Sequence, residues 1–355
     1  MIPQKFVRAA KWAFALTLVV AVTALAHRFT PEEQVSAAQE NSGAKTNLDH
    51  GSDVRVITIP GGHGYPGLPS GTLRTKEILA SQGLGGEIEP NDTSGTATPL
   101  GGSNVVVRAN IFPATDLDFY SFTAAAGDRV YAATMPSFAP PLGPFTDSQL
   151  TLLASDGTTV IEFDDDNGSL GSFSSSIAGA TIPAPGTYFI KVNDFTASIG
   201  APSAERPYEL HFRKQSGVPT PEVEGNDTPA TANPLPANGW VSGTRNPADA
   251  AEQDWFSITL AAGDTVYLAL DLDPERNSVD WNGRLGFALF GDAGDQVLTA
   301  DDPADAAGDV FHSEAMFFTV KTAGTYYAVV DSASAAVGGP TATYHLSVSV
   351  HPATN

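Results

Sequence analysis

Not one of the 355 residues is cysteine. That excludes disulfides, thiolate metal sites, a cysteine nucleophile and a lipoprotein cysteine. Positive charge is scarce: 18 Lys and Arg face 40 Asp and Glu, a formal charge of −22. Nucleic-acid binding needs clustered cations against phosphate, and the chain has none to spare. Such acidity suits metal cations or basic surfaces instead. The motifs H-E-x-x-H, G-x-S-x-G and G-x-x-x-x-G-K are absent, so no catalytic signature marks an enzyme. The seven histidines are His27, His50, His63, His211, His312, His345 and His351, and none sits among acid–base partners in sequence. His211 and His345 fall in strand-like surroundings, where a histidine fills core or surface more often than it catalyses.

Long apolar runs are also missing, with one exception. Lys5, Arg8 and Lys11 precede an apolar stretch from Trp12 to Ala26, which ends in the small-x-small site Ala24-Leu25-Ala26. The stretch is shorter than the ~20 residues of a membrane helix. Residues 1–26 therefore read as an export signal, with an uncleaved anchor as the alternative. Cleavage would remove three cations and no acids and take the charge from −22 to −25. The expected location is secreted, cell-surface or periplasmic, with no membrane span once the leader is gone. Hydrophobic residues make up 42%, enough for a packed core.

Residues 27–86 show no sustained period. Pro60 to Gly71 is a run of turn-formers. The region reads as a linker or tether, with one short helix around residues 72–83. After it the chain repeats itself. "EIEPNDT" from Glu87 returns as "EVEGNDT" from Glu222. "DLDFYSFTAAAGDRVYAATM" from Asp116 returns as "EQDWFSITLAAGDTVYLALD" from Glu252. "GTYFIKV" and "YELHF" return as "GTYYAVV" and "YHLSV". The offset stays between 135 and 138 residues across these landmarks, the mark of tandem duplication. The units are residues 87–215 and 222–352, joined by a short polar linker at 216–221.

Each unit reads as short strands divided by turns. In "DWFSITL" the residues Phe256, Ile258 and Leu260 alternate with Trp255, Ser257 and Thr259, the period of a half-buried strand. Tyr120 and Phe122 take the inward places in the first unit. Both copies of "AGD" are turns with glycine free to adopt positive φ. "ASDGTTV" and "GDAGDQV" read as hairpin turns. No segment carries a helical stripe. The expected fold is all-β: two tandem antiparallel β-sandwiches of jelly-roll type.

The ordered landmarks E-x-E-x-N-D-T, D-x-D-[FW]-[FY]-S, A-G-D and G-T-Y resemble the bacterial pre-peptidase C-terminal domain. That family is similar in fold to the collagen-binding domains of clostridial collagenases. The resemblance covers both units, about three quarters of the chain. It implies compact β-sandwiches of the kind appended to secreted peptidases, assisting secretion, targeting or stability. It also implies calcium, one ion per domain, bound by the acidic segment at each domain start. Carried over, the ligands are Glu87, Glu89, Asn91, Asp92, Asp116 and Asp118 in the first unit. In the second they are Glu222, Glu224, Asn226, Asp227, Glu252 and Asp254. Glu252 departs from the pattern, because the first unit has Asp116 there and glutamate reaches one methylene further.

The chemistry suits the carry-over. Ca2+ takes ~6–8 oxygen ligands in flexible geometry. In an extended chain Glu87, Glu89 and Asn91 share one side. Asp116 and Asp118 come from a later segment, so one ion would staple the domain start to the sandwich. Zinc is disfavoured because neither cluster holds histidine or cysteine. The alternative is that these side chains cap turns and face water. A further acidic run, Asp164 to Asn167, and its counterpart in residues 300–309 read as solvated turns. The functional expectation is a non-enzymatic calcium-binding protein that binds extracellular protein or polysaccharide. The alternative is a structural or accessory partner of a separately encoded secreted peptidase. Contact candidates are Phe138 and Phe145 in a Pro-rich loop. Trp240 and Trp281 are either contacts or plugs at the ends of their own sandwiches.

Overall fold

The computed structural model describes residues 85–352 apart from 114, 137–146, 166–173, 196–205, 246–251, 278–280, 282, 290–295, 301–312, 321 and 333–341. The leader, the linker with its expected helix, Phe138, Phe145 and most of the second acidic runs lie outside the described residues. Those that are described belong to one compact unit spanning residues 48–355. It is all-β, with no α-helix among the described residues.

Residues 85–215 form two five-stranded sheets. One contains, in spatial order, β1 (Gly85–Gly86), β3 (Asn104–Ile111), β10 (Arg206–Gln215), β5 (Arg129–Pro136) and β8 (Ser176–Thr181). The other contains β2 (Thr98–Pro99), β4 (Leu117–Ala124), β9 (Gly186–Asp194), β6 (Ser148–Leu153) and β7 (Val160–Asp164). Residues 220–351 repeat the plan. Their first sheet runs β11 (Thr220–Pro221), β13 (Trp240–Arg245), β20 (Ala342–His351), β15 (Thr265–Asp271) and β18 (Ser313–Thr319). Their second runs β12 (Asn233–Pro234), β14 (Asp254–Leu260), β19 (Gly324–Ser332), β16 (Gly283–Leu289) and β17 (Gln296–Ala300). The two-residue strands pair in parallel, and all longer pairs are antiparallel. Apart from the β6–β7 and β16–β17 hairpins, successive long strands cross between the sheets, as in a jelly roll.

Alternation decides what each core contains. In the first module Tyr208, Leu210 and Phe212 of β10 meet Tyr120 and Phe122 of β4 and Ile190 and Val192 of β9. Phe122 and Phe212 lie 4.8 Å apart between ring centroids. In the second, Tyr344, Leu346 and Val348 of β20 meet Phe256 and Leu260 of β14. The inward places foreseen for Tyr120, Phe122, Phe256 and Leu260 are occupied as expected, and Ile258 packs at the margin.

Trp255, expected on the outward side, is also buried, with Tyr327 and Val329. The reason is the N-terminal segment of the module. Its strand β12 pairs with β14 and brings Ala232 over that outer face. Phe119, Leu153 and Phe189 are covered by Ala97 in the same manner in the first module.

The repeated landmarks have local structural roles. In each AGD turn the glycine is left-handed, with φ of 84° at Gly127 and 92° at Gly263. The aspartate then accepts the backbone N–H three residues back: Ala125 to Asp128 at 2.9 Å and Ala261 to Asp264 at 2.8 Å. The GTY tyrosines, Tyr188 and Tyr326, each donate to a carbonyl four residues earlier at 2.6 Å. The "ASDGTTV" turn joins β6 to β7 around Gly157 at φ 72°.

Gly239 has φ of 64°, and a Cβ there would lie 2.0 Å from the Val348 carbonyl oxygen. Both strain and overlap oppose any side chain, and the obstacle is backbone that cannot rotate away. Gly239→Ala should therefore destabilise the protein by more than about 1 kcal/mol, read from the urea midpoint at unchanged m-value.

Candidate metal centre

Each acidic heptad lies along the edge of its sandwich and is tied down by its own backbone. The Glu87 N–H donates to the Arg108 carbonyl, and the Phe119 N–H to the Asn91 carbonyl at 3.0 Å. The second copy repeats this with Glu222 to Ser242 and Trp255 to Asn226, both at 2.9 Å. Thr98 Oγ1 accepts from the Ile88 N–H at 2.9 Å, while Asn233 Oδ1 accepts from the Val223 N–H at 2.7 Å. The heptads are thus docked beside the first residues of β4 and β14, which carry the second set of carboxylates.

In the first module single carboxylate oxygens of Glu87, Glu89 and Asp118 lie within 4.8 Å of one another. Asp118 is fully buried. Its Oδ2 accepts a hydrogen bond from the Tyr208 hydroxyl at 2.6 Å, and its Oδ1 has no partner. Asn91 is fully buried as well, with Nδ2 donating to Thr98 Oγ1 and Oδ1 unpartnered. Glu87 accepts from the Asn110 N–H at 2.8 Å and from the Tyr120 hydroxyl at 3.4 Å. Asp116 is buried beside the cluster and accepts the N–H groups of Phe112 and Leu117. Asp92 is exposed and lies near enough for its carboxylate to help raise the Asp116 pKa.

The second module brings together Glu224, Glu252 and Asp254 within the same 4.8 Å. Glu252 thus enters the tight group that Asp116 does not, the extra methylene making up the distance. Glu222 instead accepts from the Tyr344 hydroxyl at 2.6 Å and from the Thr244 N–H. That hydroxyl also lies 2.9 Å from Asp254 Oδ2, whose companion Oδ1 has no partner. Asn226 is fully buried, and its Oδ1 has no donor. Asp227 is exposed.

Asp164 separates from this group. Its Oδ2 accepts the Ser176 N–H at 2.7 Å and serves the fold.

Burial, with the neighbouring carboxylates adding to it, raises the carboxyl pKa values and so disfavours the charged forms. Glu87, Asp116 and Asp118 are all pushed above the ordinary carboxylate range, and Glu222 is raised by burial too. Burial and then the charge of Glu222 push Asp254 up to about 8. A turn cap that faces water has no such problem. Buried acceptors with no donor are costly unless something positive meets them. A hard divalent cation would satisfy Asp118 and Asn91 in one module, and Asp254 and Asn226 in the other. The donor set is all oxygen, which favours Ca2+ over zinc.

The tyrosines beneath the clusters are not among the site residues expected from the sequence. The signal was nonetheless present, since Tyr208 and Tyr344 head the repeated "YELHF" and "YHLSV" segments. Tyr120 has no hydroxyl counterpart, because Phe256 stands in its place.

Fold and site together define a tandem β-sandwich whose lead-in segments carry clustered carboxylates. Residues 116–194 match the Bacterial pre-peptidase C-terminal domain, so the first module carries a domain of that family over this segment. A relative from Deinococcus radiodurans, the "Probable subtilase-type serine protease", is 37% identical over 106 residues. The match covers 30% of this chain and 14% of the relative's length. Among solved structures, a periplasmic inhibitor of g-type lysozyme from Aeromonas hydrophila, PliG, is 20% identical with a TM-score of 0.26, covering 34% of this chain and 96% of PliG. The CUB1-EGF-CUB2 region of human MASP-1/3 is 10% identical with a TM-score of 0.18, covering 70% of this chain and 100% of that one. Among the described residues no helix is long and apolar enough to cross a membrane.

The raised carboxyls fix a pH dependence. Asp254 titrates near 8 in the folded chain, against an ordinary value of 3.8. Between those values the folded state holds protons that the unfolded state has lost. Stability must fall as pH rises. In EDTA the melting temperature should therefore decline from pH 5 to pH 8, and Asp254→Asn should flatten the decline. A cation-free protein whose melting temperature rises over that range would contradict the buried-carboxylate geometry.

Proposed function

We propose that the chain is an exported, non-enzymatic tandem β-sandwich that binds one calcium ion at each heptad. It serves as a binding or targeting module for extracellular protein or polysaccharide. The observation that carries this reading is the pair of buried oxygens without donors in each cluster: Asn91 Oδ1 with Asp118 Oδ1, and Asn226 Oδ1 with Asp254 Oδ1. The six oxygen-bearing residues of each set would supply the ion's coordination. Glu87, Glu89, Asn91, Asp92, Asp116 and Asp118 would act in the first module. Glu222, Glu224, Asn226, Asp227, Glu252 and Asp254 would act in the second. The ion neutralises mutually repelling carboxylates and ties the lead-in segment to the sandwich.

The match to the pre-peptidase C-terminal domain supports a non-catalytic accessory module. We extend the family to the second module on the repeated landmarks and the repeated sheet order. The segment shared with a subtilase-type protease favours a second reading, an accessory partner of a separately encoded secreted peptidase. Capture from culture supernatant separates the two. Retention on an insoluble polymer supports targeting, and a co-eluting peptidase supports the accessory role.

The calcium reading is tested by thermal unfolding in EDTA, then in millimolar Ca2+, with Mg2+ as control. A cation at about 100 times its dissociation constant stabilises a single site by ~2.7 kcal/mol. The melting temperature should rise with Ca2+ and respond less to Mg2+. The double variants Glu87→Ala with Asp92→Ala, and Glu222→Ala with Asp227→Ala, should each remove part of the rise. No rise, with metal-free protein by elemental analysis, would reduce the heptads to acidic turns.

A further inference from the structure

We infer that the two sandwiches form one cooperative body, in which a loss of stability in either module is transmitted to the other across a face they share. The face is built from the same sheet of each repeat. On β10 the side chains Tyr208, Leu210 and Phe212 enter the core of the first module, leaving His211 on the opposite side. On β5 and β15 the alternation is equally strict. Val130 and Ala132 point inward, as do Val266 and Leu268, so Tyr131, Ala133, Tyr267 and Ala269 point outward. These outward residues are not solvated. Tyr131, Ala133, Met135 and Ala178 of the first module form a single buried cluster with Trp240, Tyr267, Ala269, Ala315 and Phe317 of the second.

The contacts within this face are specific. The Trp240 Nε1–H donates to the Tyr131 hydroxyl at 2.8 Å. The His211 ring lies 4.2 Å from that of Phe317 and 5.5 Å from that of Tyr267, and Tyr267 stacks on Phe317 at 5.2 Å. Trp240 is therefore neither a loop contact nor a plug of its own sandwich, as its "ANGWVSG" surroundings had suggested. It opens β13 and packs against the other module. Trp281 does sit within its own core.

Polar groups close the face at its margins. At one margin Arg129 Nη2 donates to the Pro274 carbonyl at 2.9 Å, and Arg276 donates back to the Ala178 carbonyl. At another, Arg213 Nη2 and Gln215 Nε2 both donate to the Asn238 carbonyl, at 2.8 and 3.0 Å. The modules also fit each other in shape. The β8 strand bulges at Gly179, with φ of 77°, and a Cβ there would lie 1.9 Å from Asp271 Oδ2 of the second module. Arg276 is held at φ of 56° by Asp271 and the Asp273 carbonyl. A left-handed arginine persists only where its surroundings fix it.

Domain contacts that permit swinging are comparatively polar. Here, parting the modules would expose five aromatic rings and strand several carbonyls and hydroxyls. Unfolding one module therefore removes one wall of the other. The two carboxylate clusters are held as a fixed pair, so an ion bound at one would stabilise both modules. That last consequence rests on the calcium reading, whereas the coupling does not.

The test is peptide-resolved hydrogen exchange on the full chain without added metal. Leu150 is fully buried in the first core on β6, a strand of the sheet that supplies no residue to the shared cluster. Leu150→Ala should lower protection in β9 and, by a similar factor of about tenfold or more, in β16 and β19 of the second module. Calorimetry should show one transition. If Leu150→Ala fails to fold, Ile190→Val replaces it at the same core. Phe317→Arg with Ala315→Asp should split the transition in two and confine the effect of Leu150→Ala to the first module. Loss of protection restricted to the first module in the chain with an intact face would overturn the inference.

Discussion

Two of the four sheets pack against each other while each also walls its own sandwich core, and that constraint organises the molecule. A strand that alternates cleanly presents one set of side chains to each side. In β5, β10, β15 and β20 one set fills a sandwich core. The other set meets the neighbouring module. Core packing therefore fixes which residues form the shared face, and a slip of one residue would exchange the two sets. Tyr208 shows how far this reaches. Its ring belongs to the core, its hydroxyl holds Asp118, and its neighbours along β10 form the wall against the second module.

The carboxylate clusters obey a different balance. Each sits where a docked lead-in segment meets the start of a strand, near enough to the core to be desolvated. Burial and mutual repulsion both raise the carboxyl pKa values, while tyrosine hydroxyls satisfy only part of the acceptor capacity. The two copies reach this condition by different residues. Glu87 completes the tight group in one, Glu252 in the other. The copies share a plan, and the local substitutions of Asp116 by Glu252 and of Tyr120 by Phe256 adjust its details.

Much of this was legible in sequence because it is local. The AGD turns need a glycine at positive φ and an aspartate that reaches back three residues, and both fit in a short window. The heptads repeat with near-constant offset, and the family resemblance implied their pairing with Asp118 and Asp254. The roles of Trp240 and Trp255 could not. Flanking residues make Trp240 a loop residue and alternation turns Trp255 outward, but their burial comes from distant strands and from the lead-in segment. One trace of the shared face was present: "RVYAATM" and "TVYLAL" are apolar at successive positions, as strands covered on both sides must be.

The sequence by itself determined the strand alternation, the turn chemistry, the duplication and the acidic, cysteine-free make-up of the heptads. These depend on bonded geometry and on residue type, which travel with the chain. Tertiary structure alone decided which carboxylates converge, which oxygens lose their donors, and that the outer sheet of one module becomes the wall of the other. Those outcomes depend on distances between residues about thirty positions apart at each carboxylate cluster, and up to more than a hundred apart across the shared face. Such distances are set only when both sandwiches have closed and the second has been pressed against the first.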